Sequence, residues 1–213
     1  MNSERTPTTP DIKAALRRSY DANADEREEK GLIAFRAPMR VGFVERLHAE
    51  SKTQLLEIGA GAGHEAAFFV DSGLSVIAID ISSENIARCR AKGIDAEVGD
   101  FYDLAFPDGR FDAVWAASCL VHVPDRDLDV VLAEISRVLR PGGILFVGLW
   151  GGDPGEGIWD DDPYDPPRFY AVRTDEAAEA RLAEWFTVVG FEALDPEPDA
   201  QGLHYQAAVL RRS

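Results

Sequence analysis

A glycine-rich loop between an apolar run and a helical pattern constrains the fold more than any other feature of this chain. Residues 55–63 read LLEIGAGAG, which places Gly59, Gly61 and Gly63 directly after a β-rich run. Glycines allow a tight turn in which the backbone comes close to a ligand, and the first N–H groups of a following helix attract an anion. The loop therefore predicts a strand that turns into a helix beside a bound ligand.

The same strand-then-helix order repeats along most of the chain. Apolar periodicity predicts strands at 54–58, 75–79, 94–98, 111–116, 144–149, 191–194 and 203–210. It predicts helices at 64–71, from Ser82 or Ser83 to 92, at 128–139 and at 174–189, with a pair of helices within 10–48. This alternation is typical of a doubly wound α/β fold around a seven-stranded, mostly parallel sheet.

Composition fits one globular domain in a reducing compartment. The 213 residues are 46% hydrophobic and 28% charged, and the longest apolar run is far shorter than the roughly 18 residues that a membrane span needs. The first ten residues are polar, and only Cys89 and Cys119 could form a disulfide. We therefore expect a cytoplasmic protein with no membrane association.

The charge balance argues against a nucleic-acid partner. The 22 basic and 38 acidic residues leave a formal net charge of −16, which repels a phosphate backbone. No run of lysines and arginines supplies a dense basic patch against that background. The expected partner is a small molecule, and the oligomeric state stays open.

Three acidic residues lie at the ends of three successive predicted strands. Glu57 precedes the first glycine by two residues, Asp80 ends the second strand, and Asp100 follows the third. A dinucleotide fingerprint would need glycine where the chain has His64, and a carboxylate at position 57 would repel a diphosphate. The same carboxylate would favour an ammonium or sulfonium group, so the series points to S-adenosylmethionine (SAM) as the ligand.

At this point the sequence resembles the class I SAM-dependent methyltransferases, near their small-molecule branch. The resemblance is carried by LLEIGAGAG, VIAID, GDFYDLAFPDGRFDAVWAASCLVHVP and LRPGGILFVGLW in that order. It implies one Rossmann-like domain over 1–213. Its parts would be an N-terminal helical cap (1–50), a SAM-binding core (52–150), an insertion or lid (151–173), and a closing helix with antiparallel strands (174–213).

The family's cofactor site transfers to this chain residue by residue. The resemblance implies that Asp80 binds the ribose, that Asp100 meets the adenine amino group, and that Glu57 acts on the methionine amino group. Ile81 and Phe101 would lie against the adenine. The full implied set for SAM, and for its product S-adenosylhomocysteine (SAH), is Glu57, Gly59, Ala60, Gly61, Gly63, Asp80, Ile81, Asp100, Phe101, Ala117 and Ser118.

Two residues are candidates for catalysis, His122 and Tyr20. His122 follows the fourth predicted strand, as either a general base or a packed histidine at the entrance to a helix. Tyr20-Asp21 resembles the family's YDxxAxxY segment, whose tyrosine can close over the cofactor, although Arg27 stands where the second aromatic would be. Cys119 is not expected to act as a nucleophile, because methyl transfer from a sulfonium needs no covalent intermediate.

No metal site is expected, and two other features are assigned to the surface or to the acceptor. The aspartates at 160–162 are interpreted as a solvated loop tip. Arg36, Arg40 and Arg168 are expected to be solvent-exposed or to clamp a carboxylate. The long insertion at 151–173 is rich in Gly, Pro and Asp yet carries four aromatic residues, which favours a lid or a wall of the acceptor site.

The predicted reaction is transfer of the SAM methyl group to an O, N or C nucleophile of a small molecule. A nicotinamide-dependent oxidoreductase shares the predicted sheet and the spacing of Asp80, and a non-catalytic SAM-binding protein would share every motif. The sequence does not identify the acceptor.

Overall fold

The computed structural model describes residues 7–159, 161–195 and 202–213. Its helices are α1 (Thr9–Ala22), α2 (Ala24–Lys30), α3 (Ala37–Ala49), α4 (His64–Asp71), α5 (Ser83–Ala91), α6 (Leu128–Val138) and α7 (Asp175–Ala183). Its strands are β1 (Gln54–Ile58), β2 (Ser75–Asp80), β3 (Asp95–Val98), β4 (Phe111–Ala117), β5 (Leu139–Gly151), β6 (Gly155–Ile158), β7 (Phe169–Val172), β8 (Thr187–Leu194) and β9 (His204–Arg211). Short 3₁₀ turns lie at Ala34–Arg36, Leu120–His122 and Asp125–Asp127.

The main sheet has seven strands in the order β3-β2-β1-β4-β5-β9-β8. The first five run parallel, and β9 pairs antiparallel with both β5 and β8. The strand order reverses between β1 and β4, so the carboxyl ends of β2, β1 and β4 surround one crevice, which is where α/β sheets bind ligands. The prediction of a doubly wound, mostly parallel α/β sheet is confirmed.

Apolar side chains cover both faces of the sheet. Along β5, Leu145 and Val147 pack with the face under α6, whereas Phe146 packs with the opposite face under α3 and α4. Trp115 of β4 stacks on Phe146 with ring centroids 3.8 Å apart, and both rings are buried. A third, smaller cluster joins α1 to β7 through Ile12, Leu16, Phe169 and Ala171.

The structure corrects the predicted end of the last helix. The prediction extended that helix to 189, but α7 ends at Ala183 and β8 begins at Thr187. Trp185 and Val189, which the predicted helix included, are 37% and 41% exposed. The β-branched run that starts at Thr187 pairs with β9 instead, because the edge of the sheet offers it a hydrogen-bonding partner.

One further prediction is corrected at a segment outside the parallel core. The stretch 10–48 contains three α-helices rather than two. Within the insertion, β6 and β7 form an antiparallel pair. Across the ranges that the structure describes, no helix combines the length and apolar character needed to cross a membrane.

Candidate functional site

The glycine loop takes a backbone path that only glycine adopts readily. Gly59, Gly61 and Gly63 have φ angles of 67°, 54° and 81°. A Cβ atom on Gly59 would lie 2.4 Å from the Cβ atom of Cys119, which follows the end of β4. The loop is therefore packed against the neighbouring strand end, with no room for a side chain.

Asp80 ties the glycine loop to the start of α5. Its carboxylate accepts hydrogen bonds from the backbone N–H groups of Gly61 and Ser82, both at 2.8 Å. The Ser82 hydroxyl in turn caps α5 by accepting from the N–H of Asn85. Burial raises the pKa of Asp80, and these hydrogen bonds work in the opposite direction by stabilising the ionised form. Asp80 therefore shapes the loop as well as lining the cavity above it.

A first cavity of about 710 Å³ lies over the carboxyl ends of β2, β1 and β4. Of the residues predicted from sequence, its lining contains Tyr20, Gly59, Gly61, Asp80, Ile81, Asp100, Phe101, Ala117, Ser118 and His122. Helix α1 closes the cavity from above with Ile12, Lys13 and Leu16. Residues far apart in sequence thus meet in one enclosure.

A second cavity, of about 550 Å³, lies on the other side of the glycine loop. Glu57 and Ala60 line it, together with Arg27 and Arg36. Gly59, Ala117 and Arg27 line both cavities. Gly63 lies outside both linings, since its backbone packs against Cys89 and Ile94 beneath the loop.

Glu57 is a buried carboxyl with an unused oxygen. It is 3% exposed, and within the described ranges its Oε2 atom has no hydrogen-bond partner. Burial, together with the nearby carboxylates of Glu65 and Asp80, raises the pKa of Glu57 well above its usual range. The carboxyl oxygens of Glu65 accept hydrogen bonds from Arg40 at 3.2 Å and from the indole N–H of Trp115 at 2.5 Å. The ionised form of Glu57 is therefore disfavoured unless a cation lies beside it.

The arginines of the N-terminal segment are inside the molecule rather than in solvent. Arg36 and Arg40 are buried, and a guanidinium N–H of Arg36 donates to the Ser118 hydroxyl at 2.5 Å. Arg27 places its guanidinium group 3.3 Å from the position of a Cβ atom on Gly61. Its Nε atom is closed to solvent and donates to no atom of the described chain. Arg27 lies seven residues after Tyr20, and sequence reasoning noted it only as a departure from the family pattern.

Asp100 is paired with a residue that sequence reasoning missed. The ammonium group of Lys13 donates to its carboxylate at 2.6 Å and lies 3.7 Å from the centroid of the Tyr102 ring. The N–H of Tyr102 donates to the other oxygen of Asp100 at 3.0 Å. Nothing in the local sequence marks Lys13, because the pair joins α1 to a strand end 87 residues later.

Tyr20 and His122 are in direct contact in the lining of the first cavity. The Tyr20 hydroxyl lies 2.6 Å from His122 Nε2, and His122 Nδ1 lies 2.7 Å from the carbonyl oxygen of Phe169. Burial lowers the pKa of His122 to about 4, so the ring is neutral at physiological pH. His122 is thus packed and also lines the cavity. The interpretation as a packed histidine and the interpretation as a general base are therefore compatible. Burial also raises the pKa of the Cys119 thiol, which keeps it protonated.

The acidic run in the insertion is corrected at Asp162. Its side chain is 1% exposed and forms a two-pronged ion pair with the Arg168 guanidinium at 2.7 and 2.9 Å. Asp161 is exposed as predicted, whereas position 160 lies outside the described residues. Over the described positions, no three His, Cys, Asp or Glu side chains converge as a metal ion requires.

Comparisons with known proteins agree with the motifs and with the fold. A family model described as a methyltransferase domain matches residues 56–147. Methyltransferase GfsG of Streptomyces halstedii is 34% identical over 112 residues, which are 48% of this chain and 40% of that protein. Sterol 24-C-methyltransferase ERG6B of Gibberella zeae is 32% identical over 162 residues, which are 68% of this chain and 40% of that protein. The chain therefore spans well under half the length of these curated relatives.

A solved structure covers nearly the whole of both chains. It is the Burkholderia thailandensis 1,6-didemethyltoxoflavin-N1-methyltransferase, with bound 1,6-didemethyltoxoflavin and SAH. It is 25% identical to this chain with a TM-score of 0.75, and the match covers 99% of this chain and 93% of the other.

Proposed function

We propose that this chain, which belongs to the class I SAM-dependent methyltransferase family, transfers the methyl group of SAM to an O, N or C nucleophile of a small-molecule acceptor. The resemblance read from the sequence motifs is confirmed by the family model and by the solved structure. The activity of this chain and the residues of its site remain proposals, which the following contacts support.

The unpartnered oxygen of Glu57 is the observation that carries the cofactor assignment. A buried acceptor without a donor costs free energy unless a ligand supplies the donor. The second cavity places this acid near the guanidinium groups of Arg27 and Arg36. One acid and two cations suit the ammonium and the carboxylate of an α-amino acid.

The first cavity suits the other half of the same molecule. Asp80 and Asp100 line it at the ends of neighbouring strands, where carboxylates can accept from ribose hydroxyls and from an adenine amino group. Gly59 and Ala117 line both cavities, so they would flank the sulfonium that joins the nucleoside to the amino acid. When bound there, SAM supplies an activated methyl group, and the protein's task is to orient the acceptor and exclude water.

A dinucleotide does not suit this loop. In dinucleotide sites the loop N–H groups face a diphosphate. Here Gly61 N–H donates to Asp80, Gly63 N–H to the carbonyl of Ala60, and Ala60 N–H to the carbonyl of Ile79. The amides that would bind phosphate are used within the protein, which argues against the nicotinamide-dependent alternative.

The proposed partner is a small molecule rather than a nucleic acid, in keeping with the net charge of −16. We propose a cytoplasmic location because Cys89 and Cys119 are both free and buried. Residues 151–173 are proposed as a lid over the acceptor side, since β7 packs on α1.

Calorimetry with the full chain tests the proposal. SAM and SAH should each bind at one site, NADH should not bind, and small acceptors screened with SAM should release SAH. Asp80→Ala should weaken SAH binding by at least about tenfold, since it removes a charged hydrogen-bond acceptor. The exposed Asp95→Ala, which makes the same change on β3, should bind as the wild type does.

Two outcomes would contradict the proposal. Binding of NADH without SAH would favour the oxidoreductase, and SAH binding without turnover of any acceptor would favour a non-catalytic SAM-binding protein.

Because Asp80→Ala also leaves the N–H groups of Gly61 and Ser82 unpaired, circular dichroism and urea unfolding accompany each measurement.

A further inference from the structure

The hydrogen bonds around His122 have only one possible direction. The carbonyl oxygen of Phe169 can only accept, so Nδ1 of His122 carries the hydrogen and donates it at 2.7 Å. The ring is buried and neutral, so Nε2 has a lone pair and no hydrogen. The Tyr20 hydroxyl, 2.6 Å from Nε2, must therefore be the donor in that contact.

This direction fixes what Tyr20 offers to the first cavity. A tyrosine hydroxyl has a single hydrogen, and that hydrogen is used on His122. An N–H group of Arg168 donates to the Tyr20 hydroxyl oxygen at 3.4 Å, so this oxygen acts as an acceptor there. Towards the cavity, the Tyr20 oxygen can therefore only accept a hydrogen bond.

We infer that Tyr20 selects methyl acceptors that carry an O–H or N–H group on the nucleophilic atom, with His122 as the positioning residue that makes Tyr20 an obligatory acceptor. This inference rests on the proposed methyl transfer and narrows its substrate class from O, N or C nucleophiles to protonated heteroatoms. An ether or a fully substituted amine has no hydrogen for Tyr20 to accept.

The same hydrogen bonds provide a route by which the proton of the acceptor heteroatom can pass through Tyr20 to His122. As the bond from the heteroatom to the methyl carbon forms, the carbon–sulfur bond breaks and its electron pair stays on sulfur. The heteroatom's proton passes to the Tyr20 oxygen while the Tyr20 proton passes to His122 Nε2. The positive charge lost at the sulfonium appears on the imidazolium, so atoms and charge balance.

The groups that face His122 keep Nε2 free of a proton before the reaction. Tyr20 contacts it from α1, Arg27 and Arg168 act on it as nearby cations, and Asp162 opposes them. The Tyr170 ring packs edge-on, with its centroid 4.9 Å from that of the imidazole. Because burial and the two cations disfavour the imidazolium, His122 holds no proton before the reaction. Phe169, Arg168 and Tyr170 all belong to the insertion, which thereby helps to build the acceptor side.

Nitrogen NMR of the histidines tests the direction of the hydrogen bonds. In the full chain saturated with SAH, His122 should show a protonated Nδ1 and an unprotonated Nε2 from about pH 8 to about pH 5.5. Tyr20→Phe should move the Nε2 signal. Tyr170→Phe, which keeps the ring on His122 and removes a different hydroxyl, should leave it in place. A hydrogen on Nε2, or protonation of the ring within this pH range, would overturn the inference.

Phenol and anisole test the selection itself, because anisole carries a methyl group in place of the hydrogen on the phenol oxygen. For the SAH-saturated wild type we expect phenol to bind about five- to tenfold more tightly than anisole, the worth of one hydrogen bond to a buried acceptor. The ratio of the phenol affinity to the anisole affinity should approach one in Tyr20→Phe and should keep its wild-type value in Tyr170→Phe. Equal binding by the wild type, a ratio that survives Tyr20→Phe, or no binding of phenol would overturn the inference. SAH binding is measured separately, so failure of this selection is distinct from failure of the cofactor assignment.

Discussion

Binding of SAH should release close to one proton from the protein, and Glu57 should be its source. In the free protein burial and two neighbouring carboxylates raise the pKa of the Glu57 carboxyl well above its usual range, which favours the protonated form. An ammonium group beside it would favour the ionised form and lower the pKa of Glu57. Protons are therefore lost on binding, and SAH should bind more weakly as the pH falls through the range where only the free protein holds this proton.

The size of the pH effect on SAH binding follows from the thermodynamic linkage between SAH binding and proton release. Where Glu57 is protonated in the free protein and ionised in the complex, the association constant rises up to about tenfold for each pH unit, or about 1.4 kcal/mol. Glu65 is not the expected source, because donors from Arg40 and Trp115 already occupy both of its carboxyl oxygens. The expected count is one proton per molecule of SAH at most.

Calorimetry in buffers with different ionisation enthalpies measures this count directly. At about pH 7, the slope of the observed enthalpy against buffer enthalpy should indicate nearly one proton released in the wild type and none in Glu57→Gln. Glu97→Gln makes the same change at an exposed position of β3 and should keep the wild-type slope. A wild-type slope near zero, or a slope unchanged in Glu57→Gln, would refute the protonated Glu57.

Two further predictions concern stability. The pKa of His122 is about 4 in the folded protein against 6.5 in a free imidazole, so the unfolded chain binds a proton first as the pH falls. Relative to His122→Phe, the wild type should lose about 2 kcal/mol of unfolding free energy between about pH 7 and about pH 5 in urea titrations; parallel pH profiles would contradict this. Gly59→Ala should cost about 3 kcal/mol in the same assay and weaken SAH binding, because its Cβ atom would overlap Cys119 at a positive φ angle. Gly190→Ala, whose Cβ atom would meet no described atom within 4 Å, should change stability by about 0.5 kcal/mol or less, and an equal loss in both variants would argue against the steric explanation.

The parallel core could be predicted because its signals are local. The glycine loop, the apolar run of β1 and the periodicity of α4 each lie within a few residues, and both elements have the predicted bounds. The acids at positions 57, 80 and 100 lie at or just beyond strand ends, so their placement at one edge of the sheet follows once the strands are known to be parallel. That part of the site depends on sequence spacing alone.

The rest depends on partners distant in sequence. Asp162 was interpreted as solvated because its neighbours are polar, yet it is buried against Arg168 once the insertion folds back. Lys13 meets Asp100 only because α1 closes over the sheet. The end of α7 was misplaced because the pairing of β8 with β9 overrides the helical spacing of its apolar residues. In each case the deciding contact joins segments that no local pattern connects.

The apolar seam between α1 and β7 governs how small molecules enter and leave the first cavity. Four buried side chains hold this seam, Ile12, Leu16, Phe169 and Ala171, against far larger clusters on the two faces of the sheet. Separating so few groups costs a small fraction of global unfolding. We therefore expect this seam to open more readily than the sheet, so that small molecules can enter and leave while the strands stay paired.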